Sequence, residues 1–188
     1  MDEKTVVTTL ASVLLAVSGY LAAHASKLRL DQRTSQLNRI NTQLSDFYGP
    51  LLALGSATST AWLQFRKKYR PGRAFFGEGA PPTEQELVAW RTWMKEVFMP
   101  SNLRMAELVT TKSDLLIEDH IPPCLLTLCA HVAAYQAVMK RWEEKDFSEH
   151  SSLVNFPTEV LDYAHKSFLH LKAEQSRLLG LVNKRRLI

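Results

Sequence analysis

The feature that most constrains this chain is an uncharged stretch near its N-terminus. No residue from Thr5 to Ser26 carries a formal charge at neutral pH. A helix of this length extends roughly 33 Å at about 1.5 Å per residue, enough for a hydrocarbon core of about 30 Å. We therefore predict that residues 5–26 form a transmembrane anchor helix.

The charges that flank this stretch predict its orientation. The preceding sequence, MDEK, is acidic on balance, whereas Lys27 and Arg29 follow directly. Basic residues collect on the cytoplasmic side of a membrane helix. The pattern predicts a single-pass membrane protein with its N-terminus outside or in a lumen and residues 27–188 as a cytoplasmic domain. Small residues within the stretch suit packing against another membrane helix, so a protein partner or self-association is expected.

Two other interpretations of residues 5–26 stay open, and a third is excluded. The sequence Ala23-His24-Ala25 fits a signal-peptide cleavage site, although the acidic start and the following basic residues argue against cleavage. A buried core helix would explain the Ser, Thr and Gly residues in the stretch. A mitochondrial presequence is excluded because no Arg precedes Arg29.

The remainder of the chain predicts an all-α fold. Apolar residues make up 46% and charged residues 22% of the chain, as in globular proteins. Apolar positions recur at helical spacing, and no segment shows the alternation of a strand. We expect an up-and-down bundle of about four main helices.

Proline, glycine and capping residues predict the helix ends. Gly49-Pro50 should end a juxtamembrane helix and turn the chain, so that the next helix, to about Tyr69, runs back antiparallel. Thr83 and Glu86 form a capping-box pattern. Pro100 should kink or break the helix that follows, and Pro122-Pro123 should open another.

Two further features concern the second half of the chain. The polar stretch from Glu143 to Asn155 predicts a long loop, which Phe147 and Leu153 should hold against the body. Pro157 should open the last helix.

Charge is distributed unevenly along the chain, whose formal net charge is +4. Both ends of the predicted domain are basic, and its middle is acidic. An antiparallel helix pair would return the basic residues after Gln64 to the level of Lys27, where an anionic leaflet favours each by about 1 kcal/mol. We call this predicted membrane-surface set the basic cluster; it comprises Lys27, Arg29, Arg66, Lys67, Lys68, Arg70, Arg73, Phe75 and Phe76. Nucleic acid is not favoured as its ligand, because the cluster is short and lies beside the predicted membrane helix.

Residues of the metal-binding types occur near Cys124, but their spacing argues against a metal site. Cys124 and Cys129 are five residues apart, so on a helix their thiols diverge by about 140°. Cys124 and His131 share a helix face at a separation of roughly 10 Å, which one metal ion does not bridge. We expect both cysteines to be small buried hydrophobic residues, and we predict no metal and no cofactor.

Two other combinations of catalytic residue types occur in the sequence. Asp162 and His165 have the spacing of a di-iron ligand helix, but a second such helix is missing. Glu149, His150 and Ser151 are neighbours in sequence, and adjacent residues rarely face one another as a catalytic triad must. No catalytic residue is predicted from either.

The sequence favours a non-enzymatic function. The first hypothesis is a membrane-tethered interaction or assembly module, such as a small subunit of a membrane complex. The second is a helical-bundle enzyme or cofactor-binding protein that uses histidines in the bundle interior, namely His131, His165 and His170. The third is a lipid-surface-binding module that uses the basic cluster.

Overall fold

The structure, a computed structural model, describes residues 2–72, 74–77 and 79–180, with the side chains of residues 3–12 left out of the description. The predicted all-α fold is confirmed, since the described residues contain helices and no strand. The helices are α1 (Glu3–Gln43), α2 (Gly49–Tyr69), α3 (Glu84–Trp93), α4 (Met99–Thr111), α5 (Pro123–Glu143) and α6 (Glu159–Leu178), with π-helical turns at Leu44–Tyr48 and Met94–Phe98 and a 3-10 turn at Ser113–Leu115.

The predicted turn at Gly49-Pro50 is wrong. Tyr48 and Gly49 both have right-handed helical dihedral angles, and the π-helical turn Leu44–Tyr48 leads directly into α2. A π-helical turn lets the helix continue past a proline that would otherwise clash with the preceding turn. A Cβ on Gly49 would collide with the main-chain oxygen of Leu44, which explains why glycine precedes this proline.

The same arrangement recurs at Pro100. The π-helical turn Met94–Phe98 precedes α4, in which Pro100 occupies the first turn. Helical dihedral angles continue through Phe98 and Met99, so the predicted break does not occur. The π-helical turn accommodates the proline, because the Met99 N–H donates to the main-chain oxygen of Met94, five residues back.

The chain divides into two compact units, and residues 42–173 form the second. Here α4 packs against both α2 and α5, which gives the bundle-like packing of about four helices that the sequence predicted. The centre is aromatic: Phe65 is only 1% exposed, and its ring lies 5.2–5.8 Å from those of Phe75, Trp90 and Trp93. The predicted capping box of Thr83 with Glu86 is confirmed.

A polar relay crosses the same unit. The Ile117 amide donates to the Tyr48 hydroxyl at 3.0 Å, and the Tyr163 hydroxyl donates to Glu118 at 2.9 Å. The two tyrosine oxygens are 3.0 Å apart, so Tyr48 donates to Tyr163. Burial and the bond to Tyr48 raise the pKa of Tyr163.

The first unit contains residues 1–41 and 174–188. Every described side chain from residue 13 to residue 36 is exposed. Within this unit, the Arg33 guanidinium donates to the Leu178 carbonyl and so caps the last turn of α6. Over the described residues, no helix combines the length and apolarity needed to cross a membrane. The description leaves out the side chains of residues 5–12, which are part of the predicted anchor.

The predicted long loop occupies residues 144–158, and side chains of the helices hold it in place. Trp90 Nε1 and the Tyr135 hydroxyl both donate to the main-chain oxygen of His150, at 2.7 and 2.9 Å. Phe147 contacts the Arg91 guanidinium, as predicted for a residue that holds the loop. The prediction for Leu153 is wrong, because this side chain is 94% exposed.

Candidate functional site

The most developed concave feature is a cavity of about 370 Å³ within the second unit. Its volume falls in the range of small-molecule sites. Its wall is mainly aromatic. All five helices from α2 to α6 contribute to it, as do the π-helical turn Met94–Phe98, Phe76 and the loop before α6, which supplies Ser151, Ser152, Val154, Asn155, Phe156 and Thr158. The rings that line it are Trp62, Phe76, Trp90, Phe98, Tyr135 and Phe156.

One polar side chain in this wall has no partner for its oxygen. Asn102 lies on α4, is only 2% exposed and lines the cavity, and its Oδ1 atom makes no hydrogen bond. The hydroxyl of Thr58 on α2, in the same wall, is also buried without a partner. A buried polar atom without a partner costs about 1–3 kcal/mol, so these two atoms lower the stability of the second unit.

His131 on α5 also lines the cavity. The side chain is 4% exposed, and its Nδ1 lies 2.6 Å from the main-chain oxygen of Val154. A carbonyl only accepts, so Nδ1 carries the hydrogen. Burial lowers the pKa of His131, against the opposing effect of this hydrogen bond. The imidazole is therefore neutral at pH 7, and Nε2 keeps an acceptor lone pair.

The three histidines predicted for the bundle interior are not brought together. His131 lines the cavity, whereas His165 and His170 are exposed on α6. The interior arrangement expected of all three is therefore wrong for His165 and His170. The described lining of the cavity includes no carboxylate that could work with His131 as an acid or base.

The structure also corrects the basic cluster at two residues. Arg70 is buried: its guanidinium lies 3.4 Å from Glu86 and 5.8 Å from the centre of the Phe75 ring. Phe75 is buried in the aromatic centre beside Trp90. Both side chains are used inside the protein and are not available to a lipid surface.

The other members of the basic cluster lie in different local surroundings. Lys67 and Lys68 are exposed at the end of α2, and Lys27 and Arg29 are exposed on α1 in the other unit. The remaining members are Arg66, which lies 5.7 Å from the centre of the Trp62 ring, Phe76, which packs edge-on to Trp90, and Arg73, which lies outside the described residues.

The two cysteines are unpaired and half-buried on α5. Burial raises the pKa of the Cys124 thiol and of the Cys129 thiol, which keeps both protonated and poorly nucleophilic. Among the residues that the structure describes, no cluster of three or more His, Cys, Asp or Glu side chains could hold a metal ion.

Sequence reasoning missed Asn102 and the cavity. The one available signal was the position of Asn102. This polar residue lies three positions before Met105 and four before Ala106, on the helix face that buries apolar side chains. Comparison of the chain with protein-family models, with curated proteins and with solved structures finds no match in any of the three.

Proposed function

We propose that this chain is a non-enzymatic, membrane-tethered helical interaction or assembly module. In this proposal residues 5–26 form a single transmembrane helix with the N-terminus outside or in a lumen. The helices that follow form an up-and-down bundle in a cytoplasmic domain, residues 27–188. The bundle serves as a small subunit that joins a protein partner or a second copy at the membrane.

The observation that carries this proposal is the exposure of large apolar side chains on α1. Val13, Leu14, Leu15, Val17 and Leu21 are each at least half exposed, and Leu15 is 74% exposed. At about 100° per residue, Val13, Leu14, Val17 and Leu21 lie within one 100° arc of the helix, and Leu15 lies a further 100° round. Large apolar side chains exposed over so wide an arc need an apolar environment, which a bilayer supplies.

The polar residues of α1 are compatible with such a location. The Ser18 hydroxyl donates to the main-chain oxygen of Leu14 at 2.7 Å, so it needs no water as an acceptor. Tyr20 and His24 stack near the end of the stretch, at the level where aromatic belts lie.

A shared face of small residues supports the partner part of the proposal. Ala16, Gly19 and Ala23 recur at three- and four-residue spacing, which allows close approach of two membrane helices. A Cβ at Gly19 would meet nothing within 4 Å in the isolated chain. Gly19→Leu should therefore leave the single chain folded and should reduce cross-linked dimer in membranes.

The first experiment is carbonate extraction of the full chain with a C-terminal tag, followed by protease treatment of sealed vesicles. We expect the wild type to resist carbonate. The tag should be protected only when the cytoplasmic face is enclosed. Leu15→Arg places a charge near the middle of the span, at a cost of about 3 kcal/mol for insertion, so most of this variant should be extracted.

The matched control is Leu153→Arg, because Leu153 is even more exposed but lies in the loop of the other unit. This variant should stay in the membrane fraction. Extraction of the wild type, or equal retention of Leu15→Arg and wild type, would contradict a membrane tether. Tryptophan fluorescence of each variant checks that the bundle is folded.

Neither alternative hypothesis is favoured as strongly. The enzyme hypothesis relied on three interior histidines, of which His131 alone lines the cavity. The lipid-surface hypothesis loses Arg70 and Phe75, which are buried. Binding of the isolated second unit to anionic vesicles, abolished by replacing Lys67 and Lys68, would revive the lipid-surface hypothesis.

A further inference from the structure

We propose that the cavity of the second unit binds one medium-length alkyl or acyl chain, whose uncharged polar head group stays at the mouth of the cavity. This inference goes beyond the proposed membrane tether and does not depend on it. It rests on the volume of the cavity, on the apolar surface of its interior and on the polar residues that line it at the solvent side.

The volume of the cavity sets the size of the ligand. Protein interiors are close-packed, with few voids larger than a water molecule, so about 370 Å³ is too large for a packing defect. A water molecule occupies roughly 30 Å³ in the liquid, and since a methylene group is of similar size, the cavity has room for a chain of about ten to twelve carbons. It has no room for both chains of a bilayer lipid.

The rows of lining residues favour a chain over a small ring. On α2 the lining runs from Gly55 to Trp62, and on the second π-helical turn and α4 it runs from Met94 to Asn102. At about 1.5 Å per residue, these rows extend roughly 10–12 Å along the two helical segments. An extended chain contacts such rows over their whole length, whereas a single ring contacts only part of them.

The polar atoms of the deep wall do not compete for such a chain. Trp90 Nε1 and the Tyr135 hydroxyl both donate to the main-chain oxygen of His150. The side-chain oxygens of Asn102 and Thr58 are buried so completely that a ligand cannot reach them. The surface that a ligand meets in the interior is therefore mostly carbon, which suits methylene groups.

The rings of the wall already pack on one another. Trp62 lies 5.7 Å from Trp90 and 6.0 Å from Phe98, in both cases nearly edge-to-face. These pairs satisfy the electrostatic preference of aromatic rings. A guest therefore needs to supply dispersion contacts only, and methylene groups supply them.

The solvent side of the cavity is polar and uncharged. Its exposed lining residues are Ser151, Asn155 and Thr158, all in the loop before α6. Hydroxyl and carboxamide groups both donate and accept hydrogen bonds, so they can bind the hydroxyl, ester or amide of an uncharged head group. No Asp, Glu, Lys or Arg is among the described lining residues, so a charged head group would lose hydration without gaining a counter-ion.

A π-helical turn forms part of the same wall. Met94 and Phe98, its first and last residues, both line the cavity. Such turns are rare and are frequent at functional sites. The loop side is held by His131, whose Nδ1 donates to the main-chain oxygen of Val154. Both parts of the wall are thus in position before a ligand binds.

The first probe is 11-bromo-1-undecanol, whose bromine quenches tryptophan fluorescence at short range. The full chain is held in nanodiscs of zwitterionic lipid, and empty nanodiscs give the free probe concentration. Trp62 and Trp90 line the cavity, so we expect saturable quenching of the wild type. The shorter 6-bromo-1-hexanol lacks five methylenes, each of which strengthens binding about fourfold, and should bind more weakly by about 100-fold or more.

The head group is tested with 11-bromoundecanoate at pH 8, where its carboxyl group is ionised. We expect it to bind the wild type more weakly than the alcohol by about 3-fold or more, because the mouth supplies no counter-ion. Asn155→Lys places a cation at an exposed position of the mouth. It should strengthen binding of the carboxylate relative to the alcohol by about 3-fold, the ratio that a surface ion pair supplies.

The matched control is Leu126→Lys, which adds the same charge at an exposed position of α5 outside the lining. This variant should leave the ratio of carboxylate to alcohol binding unchanged.

A pair of variants at Ser59 locates the chain. Ser59 is half-buried and lines the cavity from α2. Ser59→Phe adds a ring with the volume of several methylenes and should weaken binding of the alcohol by about 10-fold or more. Ser59→Ala adds no bulk and should bind the alcohol as the wild type does. The melting temperature of each variant checks that the second unit is folded.

Several results would overturn the proposal: no saturable quenching of the wild type, equal binding of the two alcohols, or a carboxylate that binds as tightly as the alcohol. Unchanged affinity in a folded Ser59→Phe variant would place the chain elsewhere, and an unchanged ratio in Asn155→Lys would place the head group away from the mouth. Either result would equally overturn it. Membrane extraction of the same variants should equal that of the wild type, so failure here is distinguishable from failure of the membrane tether.

Discussion

Arg70 provides the sharpest test of the structure, because sequence and structure give this residue different roles. In the sequence it belongs to a basic run that was predicted to contact lipid. In the structure its guanidinium lies 3.4 Å from Glu86, donates to the main-chain oxygen of Ala80 and lies 5.8 Å from the centre of the Phe75 ring. Arg70 thus joins the end of α2 to the start of α3.

The cost of Arg70→Met can be worked out from these contacts. A hydrogen bond from a charged donor contributes about 1.5–3 kcal/mol, and the partly exposed ion pair adds at most about 1 kcal/mol. The cation–π contact adds about 0.5–1 kcal/mol. Arg70 Nε is buried without a partner, so its removal offsets this loss of stability by on the order of 1 kcal/mol. These contributions sum to a net loss of about 1–4 kcal/mol, and we expect a value near the middle of this range, about 2–3 kcal/mol.

The assay is thermal unfolding followed by tryptophan fluorescence. Trp90 lies 5.2 Å from Phe75 and therefore reports on the region that Arg70 joins. A loss of about 2–3 kcal/mol should lower the melting temperature by about 5–10 °C. Lys68→Met is the matched control: it removes the same charge from an exposed side chain two residues away and should change stability by less than about 0.5 kcal/mol.

Equal melting temperatures for Arg70→Met and Lys68→Met would refute the reasoning. A second readout is binding to anionic vesicles. If Arg70→Met lost vesicle binding while its melting temperature stayed at that of the wild type, Arg70 would be a lipid contact and its burial in the structure would be wrong.

Three further predictions concern the second unit. Gly49→Ala should destabilise by about 1–3 kcal/mol in thermal unfolding because its Cβ meets a main-chain oxygen, whereas Gly19→Ala meets nothing and should not. Tyr163→Phe breaks the relay to Glu118 and should cost about 1–3 kcal/mol in urea titrations; an unchanged midpoint would contradict the relay. Burial lowers the pKa of His131 in the folded protein, so the unfolded chain takes up a proton at this residue more readily. The free energy of unfolding should therefore fall as the pH drops below about 6.5. The variant His131→Gln should show a weaker pH dependence.

The features that could be predicted from the sequence are those that local residues determine. The capping box of Thr83 and Glu86 requires only a spacing of three residues, and the structure has it. Pro123 opens α5 because a first turn tolerates a missing N–H. The helical class follows from periodicity alone.

Gly49-Pro50 shows where local reasoning fails. A Gly-Pro pair usually ends a helix, but buried residues continue at helical spacing across it, at Leu44, Phe47, Tyr48 and Leu51. This unbroken stripe was the better signal, because burying four large side chains outweighs one lost main-chain hydrogen bond. The π-helical turn absorbs the proline, and no sequence rule used here anticipates it.

The basic run of α2 fails for a different reason. Lys67 and Lys68 follow helical periodicity and point to solvent, as the sequence suggests. Arg70 follows the last helical residue and has φ −142° and ψ 67°, so periodicity no longer sets the direction of its side chain. The loop that follows supplies the Ala80 main-chain oxygen and α3 supplies Glu86, and the guanidinium contacts both.

The cavity could not be predicted, because its wall consists of the same residue types as an ordinary core. Trp62, Trp90 and Tyr135 occupy stripe positions that would be equally apolar if the helices met in full contact. The space between them depends on how far apart α2, α4 and α5 are held, and the loop after α5 enters that separation through its bonds to Trp90 and Tyr135. An apolar stripe thus specifies which face of a helix lies inside, but not how far apart the facing helices are held.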